Sequence, residues 1–324
     1  MGWNRGLLVI AAVTGGSGFI GLILVKRLLE RGDKVRVLTR SPNGLSEVED
    51  ENLICFQGDL TNCSQETLAE FLDGVDVIFH CAGELNDETK MIGLHIGGTE
   101  KLLAALTGST TRWVQLSSVG AYGAVRSGIV SEIHPENPRG MYEVTKTEAD
   151  NRVRNHAEKS GMTTSILRPS IVIGSDKPKG FMQQMVFMVE KRLFFYIGSD
   201  QAIMNVVPVE LVVDALLKCG DRKEPGVEIF NISDCSRVSD VVDAIRDGLG
   251  STSKPITIPL FIAKTLSLIS HIWSRWPLTE RRIGALTGRA TYSSQKIFDQ
   301  LGLKVQLTSI QSFRQLAQRQ GSSK

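Results

Sequence analysis

The sequence has little of several features that mark specialised protein classes. Its five cysteines are an odd number without CxxC spacing, which indicates neither a disulfide framework nor a zinc site and predicts a reducing, cytoplasmic compartment. With 31 glycines and 10 prolines in 324 residues, the chain is far from a low-complexity or collagen-like composition. Because disulfide-rich, zinc-binding, low-complexity and collagen-like classes are disfavoured, we expect a globular protein.

Neither sign of charge dominates the chain. Lysine and arginine together number 37 against 35 acidic residues, a net charge of +2. Proteins that bind the nucleic-acid backbone are usually strongly basic, so this balance argues against a nucleic-acid partner. Apolar residues make up 42% and charged residues 22%, which is enough for a sizeable core. The length predicts about two domains or one large one.

Long apolar runs are also scarce, so no integral membrane span is predicted. The short run 7–13 leads directly into Thr14-Gly15-Gly16, which predicts a buried first strand rather than a signal peptide. Basic residues interrupt the stretch 260–276, whose apolar positions follow helical spacing. We expect a helix on a C-terminal lobe there, with an interfacial membrane contact or a lid over an apolar substrate as alternatives.

Short apolar runs alternate with helical patterns over the first half of the chain. This alternation predicts βαβ units and a parallel sheet. We therefore expect an α/β protein: a Rossmann-type doubly wound sheet over residues 1–175, and a smaller, mostly helical substrate lobe over 176–324 whose segments can interleave with it. The predicted strands are 7–13, 34–38, 53–56, 75–79, 113–116, 164–167, 204–207 and 227–232, and the predicted helices are 20–30, 65–72, 98–106, 141–159, 182–191, 209–219, 239–249 and 260–276.

Glycines cluster between the first predicted strand and the first helix, in the sequence TGGSGFIG (14–21). A tight turn, a close approach of the backbone to a pyrophosphate and close helix–sheet packing each exclude a Cβ atom. The helix N-terminus then directs its amides and its positive dipole end towards the phosphates. The cluster predicts dinucleotide binding, with contacts from Gly15, Ser17, Gly18, Phe19, Ile20 and Gly21.

The end of the second predicted strand bears on which dinucleotide binds. An acidic residue there would hydrogen-bond the ribose 2′-hydroxyl of NAD, whereas an arginine accommodates the 2′-phosphate of NADP. The chain has Thr39-Arg40-Ser41 and no acid at this point. We therefore predict NADP as the preferred cofactor over NAD, with Arg40 as the phosphate ligand; the alternative is an ordinary surface arginine.

Tyr142 and Lys146 are spaced i and i+4, which places them on one face of a helix. A phenol with its usual pKa near 10 is a poor base at pH 7, and a neighbouring ammonium together with a positively charged nicotinamide would lower that pKa. Ser118, just beyond the strand 113–116, is placed to hydrogen-bond a substrate carbonyl or alcohol. The three residues are our predicted catalytic group, although a YxxxK pair also occurs by chance on helix surfaces.

The chain resembles the extended short-chain dehydrogenase/reductase superfamily, in its NAD(P)-dependent sugar epimerase/dehydratase group. The resemblance covers most of the chain and is strongest over residues 7–175. The stretches that carry it are TGGSGFIG (14–21), Gly58-Asp59-Leu60, His80-Cys81-Ala82-Gly83, the SSxxxYG stretch 117–123, Tyr142 with Lys146, and Leu167-Arg168-Pro169 followed by Ile173-Gly174.

This resemblance implies roles for further residues. Asp59, Leu60, Cys81, Ala82, Gly83 and Pro169 take positions that contact the cofactor in the family, as do Tyr142 and Lys146. Arg281, Arg282 and Arg289 fall where relatives bind a nucleotide diphosphate, and we keep Arg282 and Arg289 as candidate substrate ligands. Relatives commonly pair through the helices near 90–107 and 141–159, so a homodimer is expected.

Departures from the family pattern narrow the expected chemistry. Val119-Gly120 stand where sugar 4,6-dehydratases carry an Asp-Glu pair, which disfavours dehydration, and the acid/base cysteine of 3,5-epimerases is missing. His95 replaces the usual asparagine of the helix before the serine strand. What remains is hydride transfer at a secondary alcohol or ketone of a nucleotide sugar, by a 4-epimerase or a reductase.

Two alternatives remain open at this point. The first is an NADPH-dependent reductase or dehydrogenase of an apolar, steroid- or flavonoid-like ketone, which the apolar stretch 260–276 favours. The second is a non-catalytic NADP-binding sensor or assembly factor. Such proteins usually have a broken Tyr/Lys pair, and here both Tyr142 and Lys146 are present.

Overall fold

The centre of the protein is a seven-stranded parallel sheet, seen in a computed structural model that describes residues 9–106, 111–174, 180–267 and 280–322. Its strands are β1 (Ile10–Thr14), β2 (Lys34–Thr39), β3 (Leu53–Gln57), β4 (Val77–His80), β5 (Arg112–Leu116), β7 (Thr164–Pro169) and β11 (Val227–Ile232). They lie in the order β11-β7-β5-β4-β1-β2-β3. Because β2 and β4 flank β1, the direction of winding reverses beside β1, as in a doubly wound fold.

Helices cover both faces of this sheet, and the central strands are accordingly buried on both sides. On one face Leu24 and Leu28 pack with Leu216, and on the other Phe71 packs with Leu102. The helices of this part are α1 (Phe19–Glu30), α2 (Gln65–Leu72), the short α3 (Glu88–Met91), α4 (Gly98–Ala104), α5 (Met141–Ser160) and α7 (Val209–Asp221). A π-helical segment, Ile92–Gly97, joins α3 to α4.

The other described elements form small sheets and helices outside the main sheet, most of them beyond residue 175. They are β6 (Ser127–Val130), β8 (Ile171–Ile173), α6 (Phe181–Glu190), β9 (Phe195–Ile197), β10 (Ile203–Pro208), β12 (Asp234–Arg237), α8 (Val238–Leu249), β13 (Ile256–Ile258), α9 (Leu260–Ser267), α10 (Glu280–Thr287), β14 (Arg289–Tyr292), α11 (Gln295–Leu301) and α12 (Ser309–Ser322). The small sheets have the orders β12-β10-β8, β13-β9 and β14-β6.

The α/β class and the doubly wound parallel sheet are as predicted, and the predicted strands of the sheet match the observed ones to within a few residues. The two parts interleave, because β11 joins the main sheet beside β7 although it lies beyond residue 175. Of the predicted helix 260–276, the structure describes α9; the rest lies outside the described residues, as does the start of the apolar run 7–13. No helix in the described part of the chain has the length and apolar character that a membrane crossing needs.

Gly248 allows α8 and α12 to pack at short range. A Cβ atom built on Gly248 would lie 2.6 Å from the backbone oxygen of Arg314, whereas one built on Gly284 in α10 meets nothing within 4 Å. Alanine is favoured over glycine in a helix by about 1 kcal/mol, but overpacking costs about 1–3 kcal/mol.

We therefore expect Gly248→Ala to lower the free energy of unfolding by about 1–2 kcal/mol and the matched change Gly284→Ala to raise it by up to about 1 kcal/mol. Urea denaturation of both variants measures the difference. If Gly248→Ala is as stabilising as Gly284→Ala, the inference that α8 packs too closely on α12 for a Cβ atom at Gly248 is wrong.

Candidate active site

A cavity of about 550 Å³ lies at the carboxyl ends of β1, β2, β3 and β4, where the winding of the sheet reverses. This is where open α/β sheets bind their ligands. Among the residues predicted to contact a cofactor, nine line the cavity: Gly15, Ser17, Gly18, Arg40, Asp59, Leu60, Cys81, Ala82 and Gly83. Phe19, Ile20, Gly21, Tyr142, Lys146 and Pro169 are not among its lining residues.

The glycine turn fits a pyrophosphate group. Gly15 has a φ angle of +71°, and a Cβ there would lie 2.8 Å from the backbone nitrogen of Ala82, so only glycine is accommodated. The Gly18 amide donates to the Gly15 carbonyl over 3.0 Å, which closes the turn. No side chain caps the N-terminus of α1 behind it. The turn therefore presents backbone and a helix dipole to an anion, as a dinucleotide requires.

The far end of the cavity carries the residues expected beside the adenosine half of a cofactor. Arg40 follows β2, is exposed and lines the cavity. Asp59 accepts hydrogen bonds from the amide and the hydroxyl of Thr61 at 2.9 and 2.8 Å. The Thr61 amide and hydroxyl, with a contribution from the charge of Arg40, hold the pKa of Asp59 below its usual value. Asp59 is thus a fixed anion at the edge of the cavity.

The predicted catalytic residues lie on two adjoining segments, the 3₁₀ turn after β5 and the start of α5. Lys146 is buried, and its Nζ donates to the carbonyl oxygen of Leu116 over 2.5 Å. Ser118 lies two residues further on and begins a 3₁₀ turn, Val119–Tyr122, in which its Oγ accepts from the Gly120 amide over 3.1 Å. Tyr142 lies one helical turn before Lys146 on α5.

The phenol of Tyr142 has a shifted pKa. Burial raises the pKa of Tyr142 to about 12, and the charge of Asp150 adds to this. The lowering expected from Lys146 together with an oxidised nicotinamide stays a prediction. The ammonium of Lys146 donates to the Leu116 carbonyl, and burial lowers the pKa of Lys146. With a pKa of about 12, Tyr142 is a protonated phenol at neutral pH.

A buried ionic network anchors α5 to the sheet. Asp150 Oδ2 accepts from Ser117 Oγ at 2.6 Å and from Arg168 Nη2 at 3.1 Å. Arg168 Nη2 also donates to Glu136 Oε1 over 2.6 Å, and Glu136 accepts from Arg154 over 3.0 Å. The side chains of Asp150 and Arg168 are fully buried. Burial raises the pKa of Asp150, and the charge of Arg168 with the Ser117 hydroxyl opposes that shift.

Sequence reasoning missed this network, although a signal for it exists. Asp150 lies at i+4 from Lys146 and i+8 from Tyr142, so the three residues share one face of α5. Arg168 was noted only as part of a family motif, and Ser117 only as the neighbour of Ser118. A buried acid on the catalytic face of a helix requires a partner, and a strand arginine is the natural one.

The other predicted site residues are more dispersed. Cys81 lines the cavity, and burial raises the pKa of its thiol to about 12, so it is not a nucleophile. Pro169 ends β7 and is buried. Arg289 is exposed at the start of β14, with Nη2 3.4 Å from Ser199 Oγ. The side chains of Arg281 and Arg282 lie outside the described residues.

The fold and the glycine turn define a Rossmann protein of the dinucleotide-binding class. A sequence profile of the NAD dependent epimerase/dehydratase family matches residues 11–233, and the chain belongs to that family. It is therefore an NAD-dependent enzyme of the epimerase/dehydratase type, with NAD(P) as its cofactor, and the resemblance seen in the sequence is confirmed.

Relatives with different activities match nearly the whole chain. A Stigmatella aurantiaca 4-hydroxy-2-methyl-3-oxo-4-farnesyl-3,4-dihydroquinoline-1-oxide ketoreductase is 27% identical over 94% of this chain and 95% of its own length. A Vibrio cholerae UDP-glucose 4-epimerase is 25% identical over 94% of each chain. The structure of a Bacillus cereus UDP-glucuronic acid 4-epimerase in complex with NAD superposes with a TM-score of 0.73 at 16% identity, covering 97% of this chain and all of that one.

Two buried histidines near the cavity make stability depend on pH. Burial lowers the pKa of His80 to about 3 and that of His95 to about 4, from an ordinary value of 6.5. Because the unfolded chain binds these protons more readily, their contribution to stability is complete above pH 6.5 and is lost as the pH falls towards 4 and below.

We expect each of the two histidines to lower the free energy of unfolding by up to about 1.4 kcal/mol per pH unit below pH 6. Urea unfolding at pH 7.5, 6.0 and 5.0 measures the slope. A free energy of unfolding that stays constant across this interval would show that His80 and His95 are not buried neutral groups.

Proposed function

We propose that the protein is an NADP-preferring oxidoreductase that interconverts a ketone and a secondary alcohol by a Ser-Tyr-Lys mechanism. The observation that supports the proposal is the hydrogen bond from Lys146 Nζ to the Leu116 carbonyl, which joins the helix of Tyr142 to the end of β5, two residues before Ser118. This end of β5 lies at the carboxyl edge of the sheet, where the cofactor cavity also lies. One cofactor and one set of proton-transferring groups are thus brought to one edge.

Each of the three residues has a distinct role in this proposal. Tyr142 gives its phenolic proton to the substrate oxygen in the reductive direction and takes it back in the oxidative one. Ser118 hydrogen-bonds the same oxygen and orients the carbonyl. Lys146 is a buried cation that stabilises the phenolate and holds the nicotinamide ribose. The bound cofactor supplies or accepts the hydride.

Reduction is the direction that the residues support. Val119 and Gly120 follow Ser118, so this stretch offers no carboxyl group for eliminating water. No acid stands at the end of β2 to bind a ribose 2′-hydroxyl, and Arg40 lines the cavity instead. Cells use NADPH mainly as a reductant, so this arrangement favours ketone reduction over a closed epimerase cycle.

We propose a nucleotide sugar as the substrate. The family and the Vibrio cholerae relative support this class, and Arg289 is an exposed guanidinium in the C-terminal part, suited to a phosphate. An apolar ketone is the second candidate. It is supported by the Stigmatella aurantiaca ketoreductase and by the exposed apolar side chains of Leu260, Phe261 and Ile262 at the start of α9.

A cytoplasmic location and a homodimer formed through the helices near 90–107 and 141–159 remain predictions. A non-catalytic NADP-binding sensor is the alternative from another class, and an intact Tyr142 and Lys146 pair speaks against it. Size-exclusion chromatography with light scattering measures the oligomeric state directly.

Tyr142→Phe removes the transferable proton and keeps the ring. We expect turnover to fall by a factor of about 10²–10⁴ while NADPH still binds. The measurement is NADPH oxidation with a panel of UDP-sugar ketones and steroid ketones, beside fluorescence titration of NADPH. Tyr196→Phe on β9 is the matched control and should retain full activity.

The panel also separates the alternatives. Net consumption of NADPH identifies a reductase, whereas conversion of a UDP-sugar epimer without net NADPH loss identifies an epimerase. Wild-type protein that binds NADPH yet turns over no member of the panel would favour the sensor, and unchanged turnover in Tyr142→Phe would remove the proposed mechanism.

Arg40→Ala tests the cofactor preference separately. Loss of a charge-assisted contact with the 2′-phosphate should weaken NADPH binding by about tenfold or more and leave NADH binding unchanged. Arg36→Ala is the control for charge, because Arg36 lies on the same strand with its Nη1 bonded to carbonyl oxygens at the end of α2. Equal NADH and NADPH affinities in the wild type would refute the preference.

A further inference from the structure

His95 occupies an unusual place in the chain. It lies in the π-helical segment Ile92–Gly97 between α3 and α4, and its side chain is buried. Such segments are rare and occur frequently at functional sites. The family resemblance implies asparagine at this position, so the imidazole is a feature of this chain.

The imidazole of His95 bridges two elements of the site. Its Nε2 lies 2.9 Å from the backbone amide of Glu84, in the loop that lines the cofactor cavity. Its Nδ1 lies 2.8 Å from the hydroxyl of Thr145, in the first turns of α5. The ring also stands edge-to-face against Tyr142, with 5.7 Å between the ring centres.

The partners of His95 determine where its proton lies. The Glu84 amide is a donor, so Nε2 must accept, and a neutral ring then carries its hydrogen on Nδ1. That hydrogen is donated to Thr145 Oγ1, whose own hydrogen goes to the carbonyl oxygen of Met141 over 2.8 Å. Each hydrogen in the series therefore has one acceptor.

A second series of hydrogen bonds ends on the same residue. The Ala82 amide donates to Thr14 Oγ1 over 3.3 Å, and Thr14 Oγ1 lies 2.6 Å from Nδ1 of His80. His80 Nε2 lies 3.0 Å from Thr99 Oγ1, which donates to the backbone oxygen of His95 over 2.5 Å. The same reasoning gives His80 the opposite tautomer, with hydrogen on Nε2.

The charges around His95 keep it neutral. The charged groups that face it are Lys146 on α5 and Glu84 in the loop, with the titratable His80 on β4 and Tyr142 on α5. Burial and the charge of Lys146 lower the pKa of His95 to about 4, against a smaller opposing effect of Glu84. A protonated ring would also set its Nε2 hydrogen against the Glu84 amide.

We propose that His95 is a positioning residue that fixes the cofactor-lining loop Gly83–Glu84 to the turn of α5 that carries Tyr142. It does so as a neutral imidazole protonated on Nδ1, with both ring nitrogens engaged. Asparagine is too short to reach both partners, because its amide occupies the place of Nδ1 alone. The claim that this loop lines a cofactor site follows from the family to which the chain belongs. The claim that His95 positions Tyr142 rests on the proposed function.

The first test is spectroscopic and needs no substrate. In the wild type, nitrogen-15 NMR of labelled histidines should show one neutral ring protonated on Nδ1 that does not titrate between pH 8 and 5 and disappears in His95→Gln. A His95 ring protonated on Nε2, or one that titrates near pH 6.5, overturns the proposal.

The second test measures the dissociation constants of NADPH and NADH by fluorescence. His95→Asn loses the acceptor for the Glu84 amide and should weaken cofactor binding by about tenfold. His95→Gln places an amide oxygen near the position of Nε2 and should restore most of that loss. Thermal unfolding of each variant is measured in parallel. A merely structural role would lower the melting temperature of both His95→Asn and His95→Gln, without the difference in cofactor binding between them.

The third test asks whether the two contacts act through one side chain. Thr145→Val removes the hydroxyl that receives the Nδ1 hydrogen and keeps the shape of the side chain. Combined with His95→Asn, it should add less than twofold to the dissociation constant, whereas independent roles would multiply the two effects. The proposal is overturned if the increases in the dissociation constant from the two substitutions multiply in the double variant. It is also overturned if His95→Asn binds the cofactor within twofold of the wild type.

These outcomes separate the proposal from the function on which part of it rests. The dissociation constants of the cofactors and the tautomer of His95 are measured without turnover. Both can therefore be determined even if the wild type proves inactive. If His95→Asn does not fold, the proposal is still tested by the tautomer of His95 in the wild type and by cofactor binding in the His95→Gln and Thr145→Val variants.

Discussion

The ion pair between Asp150 and Arg168 is the contact on which the site depends. Both side chains are fully buried, one on the catalytic helix α5 and the other on the sheet strand β7. Breaking such a pair by removing one partner leaves an uncompensated buried charge, which costs about 3–5 kcal/mol. Because Asp150 also accepts from Ser117, the pair holds α5 against the ends of two strands at once. Lys146 and Tyr142 lie one and two turns along the same helix, so their positions follow from this anchor.

The cofactor cavity is held by a complementary constraint, the close approach of Gly15 to the loop after β4. That approach leaves no room for a Cβ atom, and the same loop is bonded through Thr14, His80 and His95 to the elements behind it. Neutral imidazoles suit this position. Lys146 already places one buried cation there, and a nicotinamide in its oxidised form would add another, so a charged histidine would meet repulsion that the smaller effect of Glu84 does not offset.

Local sequence patterns were sufficient for the sheet and for the glycine turn. Apolar runs alternating with helical spacing predicted the strands of the main sheet. The glycines of the turn and the Tyr142 and Lys146 pair are informative only in context, the glycines between a strand and a helix and the pair together with Ser118 beyond β5. Strands such as β8 and β13 are three residues long, too short for any periodicity to register. The place of β11 in the main sheet is set by its pairing with β7. Local sequence patterns cannot predict this pairing, because the two strands are far apart in the chain.

Sequence patterns propose candidate residues for the site but say little about their electrostatics. A spacing of four residues places Tyr142 and Lys146 on one helix face, but it does not say that the ammonium bonds to the Leu116 carbonyl. Nor does it show that Asp150 raises the pKa of the phenol. Such effects depend on burial and on partners distant in sequence, and they decide the protonation state.

In the function proposed above, the protonation state of Tyr142 bears on the direction of the reaction. A Tyr142 whose phenol pKa is raised to about 12 begins as a proton donor, which is what reduction of a ketone requires. A neutral dihydronicotinamide leaves this balance unchanged, whereas the positive charge of the oxidised form would lower the pKa and favour the phenolate that alcohol oxidation needs. In the proposed mechanism, the charge of a bound cofactor and the proton on Tyr142 would therefore be coupled, so that Tyr142 would be ready to give its proton when the cofactor is ready to give its hydride.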